Sequence, residues 1–224
     1  MSETATRFDL RQGRILACLM EKQLTTPNTY PLTLNSLMLA CNQKSNREPV
    51  MQLTEGDIGH VCNQLAADGW LRVEDSERAR KYSHLLRQKL ELSRQQQALL
   101  CMMMLRAPLT LNDLKRRTER MAEFADVEDV QLCLMELMET GSPLVLLLPK
   151  GPGRREDRYT HTFGDWVSEP ESDPEENTES TGTVSGDHAR GNDLISRIEM
   201  LEKRVLKLES QLTVEHLSAD AETE

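Results

Sequence analysis

Pro31-Leu32-Thr33-Leu34-Asn35-Ser36-Leu37 returns 77 residues later as Pro108-Leu109-Thr110-Leu111-Asn112-Asp113-Leu114, with six of seven positions identical. Chance rarely does this, so the chain reads as one supersecondary unit written twice. In each copy a threonine stands just ahead of Leu-Asn-x-Leu, where its hydroxyl can cap the helix that follows. An apolar, helix-like segment precedes each copy, Leu10 to Gln23 and Ser93 to Arg106. A further amphipathic stretch follows each one. Thr54 to Asp68 turns Ile58, Val61, Cys62 and Leu65 inward, and Asp126 to Thr140 turns Val127, Val130, Leu134, Leu137 and Met138 inward. Both stretches end at a glycine, Gly69 or Gly141, and each leads into a β-hairpin. The first hairpin joins Trp70–Val73 to Tyr82–Leu86; the second joins Pro143–Leu148 to Arg158–Phe163 across Gly151-Pro152-Gly153. Three helices and a two-stranded wing, twice over, predict a mostly α chain with small β-hairpin wings. The expected architecture is tandem winged-helix domains, the first over residues 1–90 and the second over 91–166, with the third helix of each in the recognition position.

Composition agrees. Hydrophobic residues make up 38% of the 224 and aromatics only 4%, which suits helices of Leu, Met and Ala better than an all-β sandwich. No apolar run approaches the ~18 residues of a membrane span. The start, Met1-Ser2-Glu3-Thr4-Ala5-Thr6-Arg7, is polar and lacks the apolar stretch of an export signal, so a cytoplasmic location is expected. Five cysteines without CxxC spacing point to reduced, buried thiols and no disulfide. The net charge of −10 is unevenly placed, since residues 1–166 carry 22 Lys+Arg against 22 Asp+Glu and residues 167–224 carry 5 against 15. A neutral body weakens any argument for nucleic acid from bulk charge.

The acidity belongs to the tail. Ser168 to Ala189 holds seven acids and no Lys or Arg, so 167–191 is expected to be a disordered acidic linker. Residues 192–217 read as a C-terminal coiled-coil helix. Its seam has Ile198, Val205 and Leu212 at a and Leu194, Leu201 and Leu208 at d, a pattern that favours a parallel homodimer. Arg197 would face Glu202 of the partner chain and Arg204 would face Glu209. With only about three heptads, a single amphipathic helix docked on its own body is the alternative.

The residues of the first unit look familiar. Ile15-Leu16-Ala17-Cys18-Leu19-Met20-Glu21-Lys22, then Thr25-Thr26-Pro27, Tyr30 to Asn35, and Ala40-Cys41-Asn42-Gln43-Lys44-Ser45-Asn46-Arg47-Glu48-Pro49-Val50-Met51 resemble the YceH-like family of bacterial proteins. The resemblance runs from about Leu10 to Phe163. It implies a tandem winged-helix fold in a bacterial cytosolic protein, and it brings no catalytic residue with it.

Two groups of residues are candidates for contact with nucleic acid or a protein partner. The first lies between the second and third helices, where Cys41 to Leu53 makes thirteen residues in place of the usual three or four. Asn42, Gln43, Lys44, Asn46 and Arg47 could bond phosphate or a partner's backbone. Alternatively this is a structural loop whose amides cap helix ends while Pro49, Val50 and Met51 pack beneath. The second group is Lys115, Arg116, Arg117 and Arg120 in the second helix of the second unit, with Arg116, Arg117 and Arg120 on its outer face. Arg154, Arg155 and Arg158 in the second wing would assist. Alternatively these cations form a solvated face near a helix C-terminus.

Both recognition-position helices are acidic, and carboxylates meet phosphate repulsion in a groove; His60, Asn63 and Gln64 remain as base readers. The five histidines form no metal-ligand spacing, no nucleophile elbow or phosphate loop appears, and the methionines sit at core spacing. No catalytic residue, cofactor, metal or small-molecule substrate is expected. Two functions stand. One is a nucleic-acid-associated regulator that uses wings, basic helix and loop on phosphates. The other is a protein-interaction scaffold that binds no DNA, as in the tandem winged helices of the segregation and condensation protein B family, which this architecture resembles.

Overall fold

The computed structural model describes residues 6–75, 79–151 and 155–164, all within the unit Met1–Pro174. The expected linker (167–191) and coiled coil (192–217), with the seam Leu194, Ile198, Leu201, Val205, Leu208 and Leu212, lie outside the described residues. The chain is mostly helical with small antiparallel hairpins. Helices α1 (Leu10–Thr25), α2 (Leu34–Cys41) and α3 (Glu55–Ala67) precede strands β2 (Leu71–Asp75) and β3 (Arg80–His84). Helices α5 (Arg94–Leu105), α6 (Leu111–Thr118) and α7 (Val127–Met138) precede β4 (Val145–Leu148) and β5 (Arg158–His161). A two-residue strand β1 (Leu32–Thr33), a 3-10 turn (Pro27–Thr29) and a short helix α4 (Leu86–Lys89) are additions that hydropathy periodicity does not signal.

The helix starts follow from their caps. Thr33 accepts from Ser36 N at the head of α2, and Thr110 accepts from Asp113 N at the head of α6. Asp9 with Gln12, Thr54 with Asp57 and Ser93 with Gln96 form reciprocal capping boxes on α1, α3 and α5. Each cap satisfies backbone N–H groups that have no partner inside the helix. The first hairpin runs to Asp75 rather than Val73, because Asp75 accepts from Arg80 at 2.7 Å across the ladder's end.

The hairpins repeat a second motif at the same 77-residue offset. Lys81-Tyr82-Ser83-His84 answers to Arg158-Tyr159-Thr160-His161, and Tyr82 and Tyr159 are both buried. Tyr82 pairs with Leu32 on one side and Val73 on the other, giving a sheet of order β1-β3-β2. Tyr159 pairs with Leu147 and, through two backbone hydrogen bonds, with Leu109. The equivalent of β1 is thus reduced to a single bridge.

The first helices of the two units, α1 and α5, pack on each other. Ile15 to Met20 and Ala98 to Leu105 are almost wholly excluded from solvent, and the Cys101 thiol donates to Ala17 O at 3.2 Å. A helix buried on all sides belongs to a core rather than a surface. Each large apolar side chain so buried contributes about 1.5–3 kcal/mol. Phe8 closes one end of this core. Its N–H donates to Phe163 O at 2.6 Å, and its ring meets Trp70 edge-on with centroids 5.1 Å apart. One continuous apolar cluster therefore runs through both units. All five cysteines are buried within the fold as free thiols.

Candidate functional site

The long loop after α2 is organised from within. The Asn42 side chain donates to Leu53 O and accepts from Leu53 N, both at 2.8 Å, and so clamps the loop shut. Arg47 has a fully buried side chain. Its Nη2 donates to Glu21 Oε2 at 2.6 Å and to Gln43 Oε1 at 3.0 Å, its Nη1 to Glu21 Oε1 and Asn46 O, and its Nε to Ala40 O. Burial pushes the Glu21 carboxyl up, but hydrogen bonds and charge from Arg47, with Lys22 beside it, hold it below the usual carboxylate range. Arg14, another buried cation on α1, donates to Cys41 O at 3.3 Å and Pro49 O at 2.7 Å.

Three of the five loop candidates, Asn42, Gln43 and Arg47, therefore spend their polar groups inside the protein. Lys44 and Asn46 reach the surface. Asn46 adopts a left-handed backbone with φ of 56°, which a short polar side chain tolerates. Pro49 and Val50 do not pack beneath the loop as the structural alternative supposes: both are exposed, and Met51 alone of the three leans on the core. The reason is that Arg14 takes the carbonyl of Pro49, and Glu48 N donates to Leu105 O, which turns the following side chains outward.

The basic candidates of the second unit fall into different settings. Arg116 is 68% exposed and donates to Asp113 at 2.7 Å. Arg117 is not on the outer face. Its side chain is 20% exposed and its Nη1 donates to Asn46 Oδ1 at 3.0 Å, so it braces the loop. Burial, then the neighbouring Arg106, hold Arg117 below its ordinary value. Arg120 is not in the helix, because α6 ends at Thr118, whose hydroxyl donates back to Leu114 O at 2.7 Å. It borders an open cleft of about 540 Å³ beside Arg94 and Glu123. The polar groups of that cleft face the chain's own backbone: Arg94 Nε donates to Met121 O and Gln95 Nε2 to Glu123 O, each at 2.8 Å. Arg155 is exposed in the second wing, and Arg154 lies outside the described residues.

On α3 the exposed residues include Glu55, His60, Asn63 and Gln64; on α7 they include Glu128 and Glu136, with Glu139 just past its end. Neither helix contains a Lys or Arg. Asp57 is committed to the Thr54 cap and to Arg11 at 3.3 Å, so its charge is explained locally. Glu136, exposed at the surface, accepts from Gln96 at 3.1 Å.

The wings contribute residues that motif reading passes over. β4 is the outer strand of its hairpin and exposes Leu146 (50%) and Leu147 (42%). β2, the outer strand of the first sheet, instead exposes Arg72, Glu74 and Asp75. The available signal was the uninterrupted Val145-Leu146-Leu147-Leu148, where alternation would be expected of a half-buried strand. Among the described residues no cluster of three or more His, Cys, Asp or Glu could hold a metal ion, and no helix is long and apolar enough to cross a membrane.

A family model described as "Protein of unknown function, DUF480" matches residues 8–154. A UPF0502 protein of Koribacter versatilis is 43% identical over 197 residues, covering 88% of this chain and 87% of that protein. A UPF0502 protein of Pseudomonas fluorescens is 42% identical over 206 residues, covering 92% of each. One from Xanthomonas campestris is 38% identical over 214 residues, covering 96% and 95%. A solved structure of a conserved hypothetical protein from Chlorobium tepidum aligns at 15% identity with a TM-score of 0.22, covering 68% of this chain and 94% of that one.

Proposed function

The chain belongs to the bacterial DUF480 family, and for this member we propose a non-enzymatic role as a protein-interaction scaffold built of tandem winged helices and dimerised through its C-terminal seam. The observation that carries this reading is the absence of Lys and Arg from both third helices, while α7 turns Glu128 and Glu136 outward. Duplex DNA carries one negative charge per about 1.7 Å, so such a surface is repelled where a recognition helix would enter. A protein surface bearing cations is attracted to it instead, and gains orientation as well as on-rate.

The test compares wild-type full-length protein with Glu136→Lys/Glu139→Lys. The scaffold reading expects no binding to duplex DNA at low salt, and a partner captured from native lysate, insensitive to nuclease, that the double variant loses. The reading fails if duplex DNA binds with a steep salt dependence. That result would support a nucleic-acid-associated regulator, for which the exposed Lys44, Arg116, Arg120 and Arg155 are the specific support. Arg116→Ala/Arg120→Ala should then flatten the salt slope by roughly 0.9 per lost phosphate contact.

A further inference from the structure

We propose that the junction between the long loop of the first unit and helix α6 of the second is an oxyanion site, which takes a single phosphate group, free or carried by a small molecule. Five side chains supply it: Lys44 and Asn46 from the loop, Arg106 just past the end of α5, and Arg116 and Arg117 from α6. Contacts from both units draw this surface together. Glu48 N donates to Leu105 O and holds the loop against the end of α5, where the Glu48 carboxylate pairs with Arg106 Nε at 3.1 Å. Asn46 Oδ1 accepts from Arg117, which leaves the Asn46 amide N–H groups as donors. Arg116 and Arg106 show 68% and 37% of their side chains to solvent, and Lys44 and Asn46 are exposed.

The charge of the junction is not balanced from within. Three guanidiniums face two carboxylates, Asp113 and Glu48, and Lys44 forms no ion pair among the described residues. The crowding is felt at Arg117. After burial, the Arg106 charge does most to hold Arg117 below its ordinary value and Arg116 adds to it, while Asp113 and Glu48 oppose them. Arg117 Nε has no hydrogen-bond partner and stands 3.8 Å from Asp113 Oδ1. The same loop also lies over buried cations. Arg14 and Arg47 are both buried, and among the described residues Glu21 is the only buried carboxylate. Glu21 is taken by Arg47, whereas Arg14 donates to the carbonyls of Cys41 and Pro49. A buried charge is screened less than an exposed one, so this surplus adds to the positive field at the junction.

A phosphate group is the anion that fits. Carried on a monoester at neutral pH it has a charge of about −1.5 to −2 and three strong acceptor oxygens, enough to engage guanidiniums from two elements at once. Arginine forks match it with paired hydrogen bonds. A carboxylate brings one charge and two oxygens, and the two already present, Glu48 and Asp113, leave the surplus standing. A long polyanion fits less well. Helix α6 packs on α7, which exposes Glu128 and Glu136 and has no Lys or Arg, so phosphates flanking the bound one would meet carboxylates. The site is independent of the scaffold reading, which concerns the third helices.

The experiment titrates the full chain with inorganic phosphate and with glycerol phosphate at constant ionic strength, chloride making up the balance, and follows backbone amide shifts by NMR. Saturable binding is expected, with shifts gathered at residues 44–48, 106 and 113–117. The tighter of the two ligands tells whether free phosphate or a phosphorylated small molecule is the better occupant. Arg106→Gln/Arg116→Gln should weaken binding at least about tenfold, and Arg116→Gln alone, at the most exposed of the three arginines, at least about threefold. An unchanged circular dichroism melt shows that these variants keep the fold. Arg72→Gln, at an exposed arginine of the first wing, should leave binding unchanged. Shifts that never saturate, or equal binding by wild type and the double variant, overturn the proposal. So does duplex DNA that displaces phosphate and is itself lost with the double variant, because the surface is then part of a nucleic-acid interface. Failure to bind phosphate leaves the scaffold reading standing, since that reading turns on Glu136 and Glu139.

Discussion

The first and second units start from nearly the same heptapeptide and use it in the same way, yet they finish it differently. Thr33 and Thr110 cap their helices alike, and Tyr82 and Tyr159 sit in the same place beside Leu32 and Leu109. The first unit then adds a thirteen-residue loop locked by a buried Arg47–Glu21 pair, a third strand, and a charged wing edge. The second has a shorter connection, a single bridge in place of that strand, and an apolar wing edge. A duplicated unit keeps what its own caps and core require. The connection after the second helix and the outer strand, which the caps do not dictate, are where the copies diverge.

The largest test of that contrast is Arg47→Ala, which leaves the Glu21 carboxylate buried beside an empty space. It should cost about 3–5 kcal/mol in urea denaturation. Arg117→Ala, its counterpart in bracing the same loop from the second unit, should cost at most about 1 kcal/mol because its side chain keeps solvent contact. Equal losses would mean that the loop is not anchored chiefly by the first unit.

Next come the paired histidines. Burial first, and then the Arg87 charge, push His84 down to about 4, and burial pushes His161 down to about 4. An unperturbed histidine titrates near 6.5, so in acid the unfolded chain takes up protons that the folded one refuses. Stability is therefore full above about pH 6.5 and falls as pH drops toward 4, by up to about 3 kcal/mol per histidine. Glu21, held below its usual range, loses its own contribution only at lower pH, below about 4.3. Between about pH 6.5 and 4.5 the slope belongs to the two histidines. His84→Asn and His161→Asn should each remove about half of it; if one removes it all, the two positions are not equivalent.

Smaller still, Thr33→Ala and Thr110→Ala should each cost about 1 kcal/mol, and their sum should match the double variant to within about 0.5 kcal/mol. A failure of additivity in thermal melts would show that the two caps are coupled through the shared core. The smallest effect on stability is expected at the first wing, where Arg72→Leu/Glu74→Leu should move the unfolding free energy by no more than about 0.5 kcal/mol.

What the residues disclosed on their own was local and periodic: the repeat, the helices from their apolar spacing, the caps at Thr33 and Thr110, and the hairpins between turn residues. Those signals depend on neighbours a few positions away, which every sequence window contains. The second repeat, Tyr-Ser/Thr-His at the same offset, was equally legible. Its meaning comes only from the burial of both histidines in matching strands.

The uses of Arg14, Arg47 and Arg117 were not legible at all. An arginine in a polar loop or on a helix flank reads as a surface cation, and only the approach of Glu21 to Arg47, of Asn46 to Arg117, or of the Pro49 carbonyl to Arg14 turns it inward. Tertiary structure likewise decided that α1 and α5 join both units in one core, since an apolar stripe records that a face is buried but not against what. It decided as well which outer strand shows apolar side chains, Leu146 and Leu147 on β4 against Arg72 and Glu74 on β2, because exposure depends on which distant segments pack against each strand.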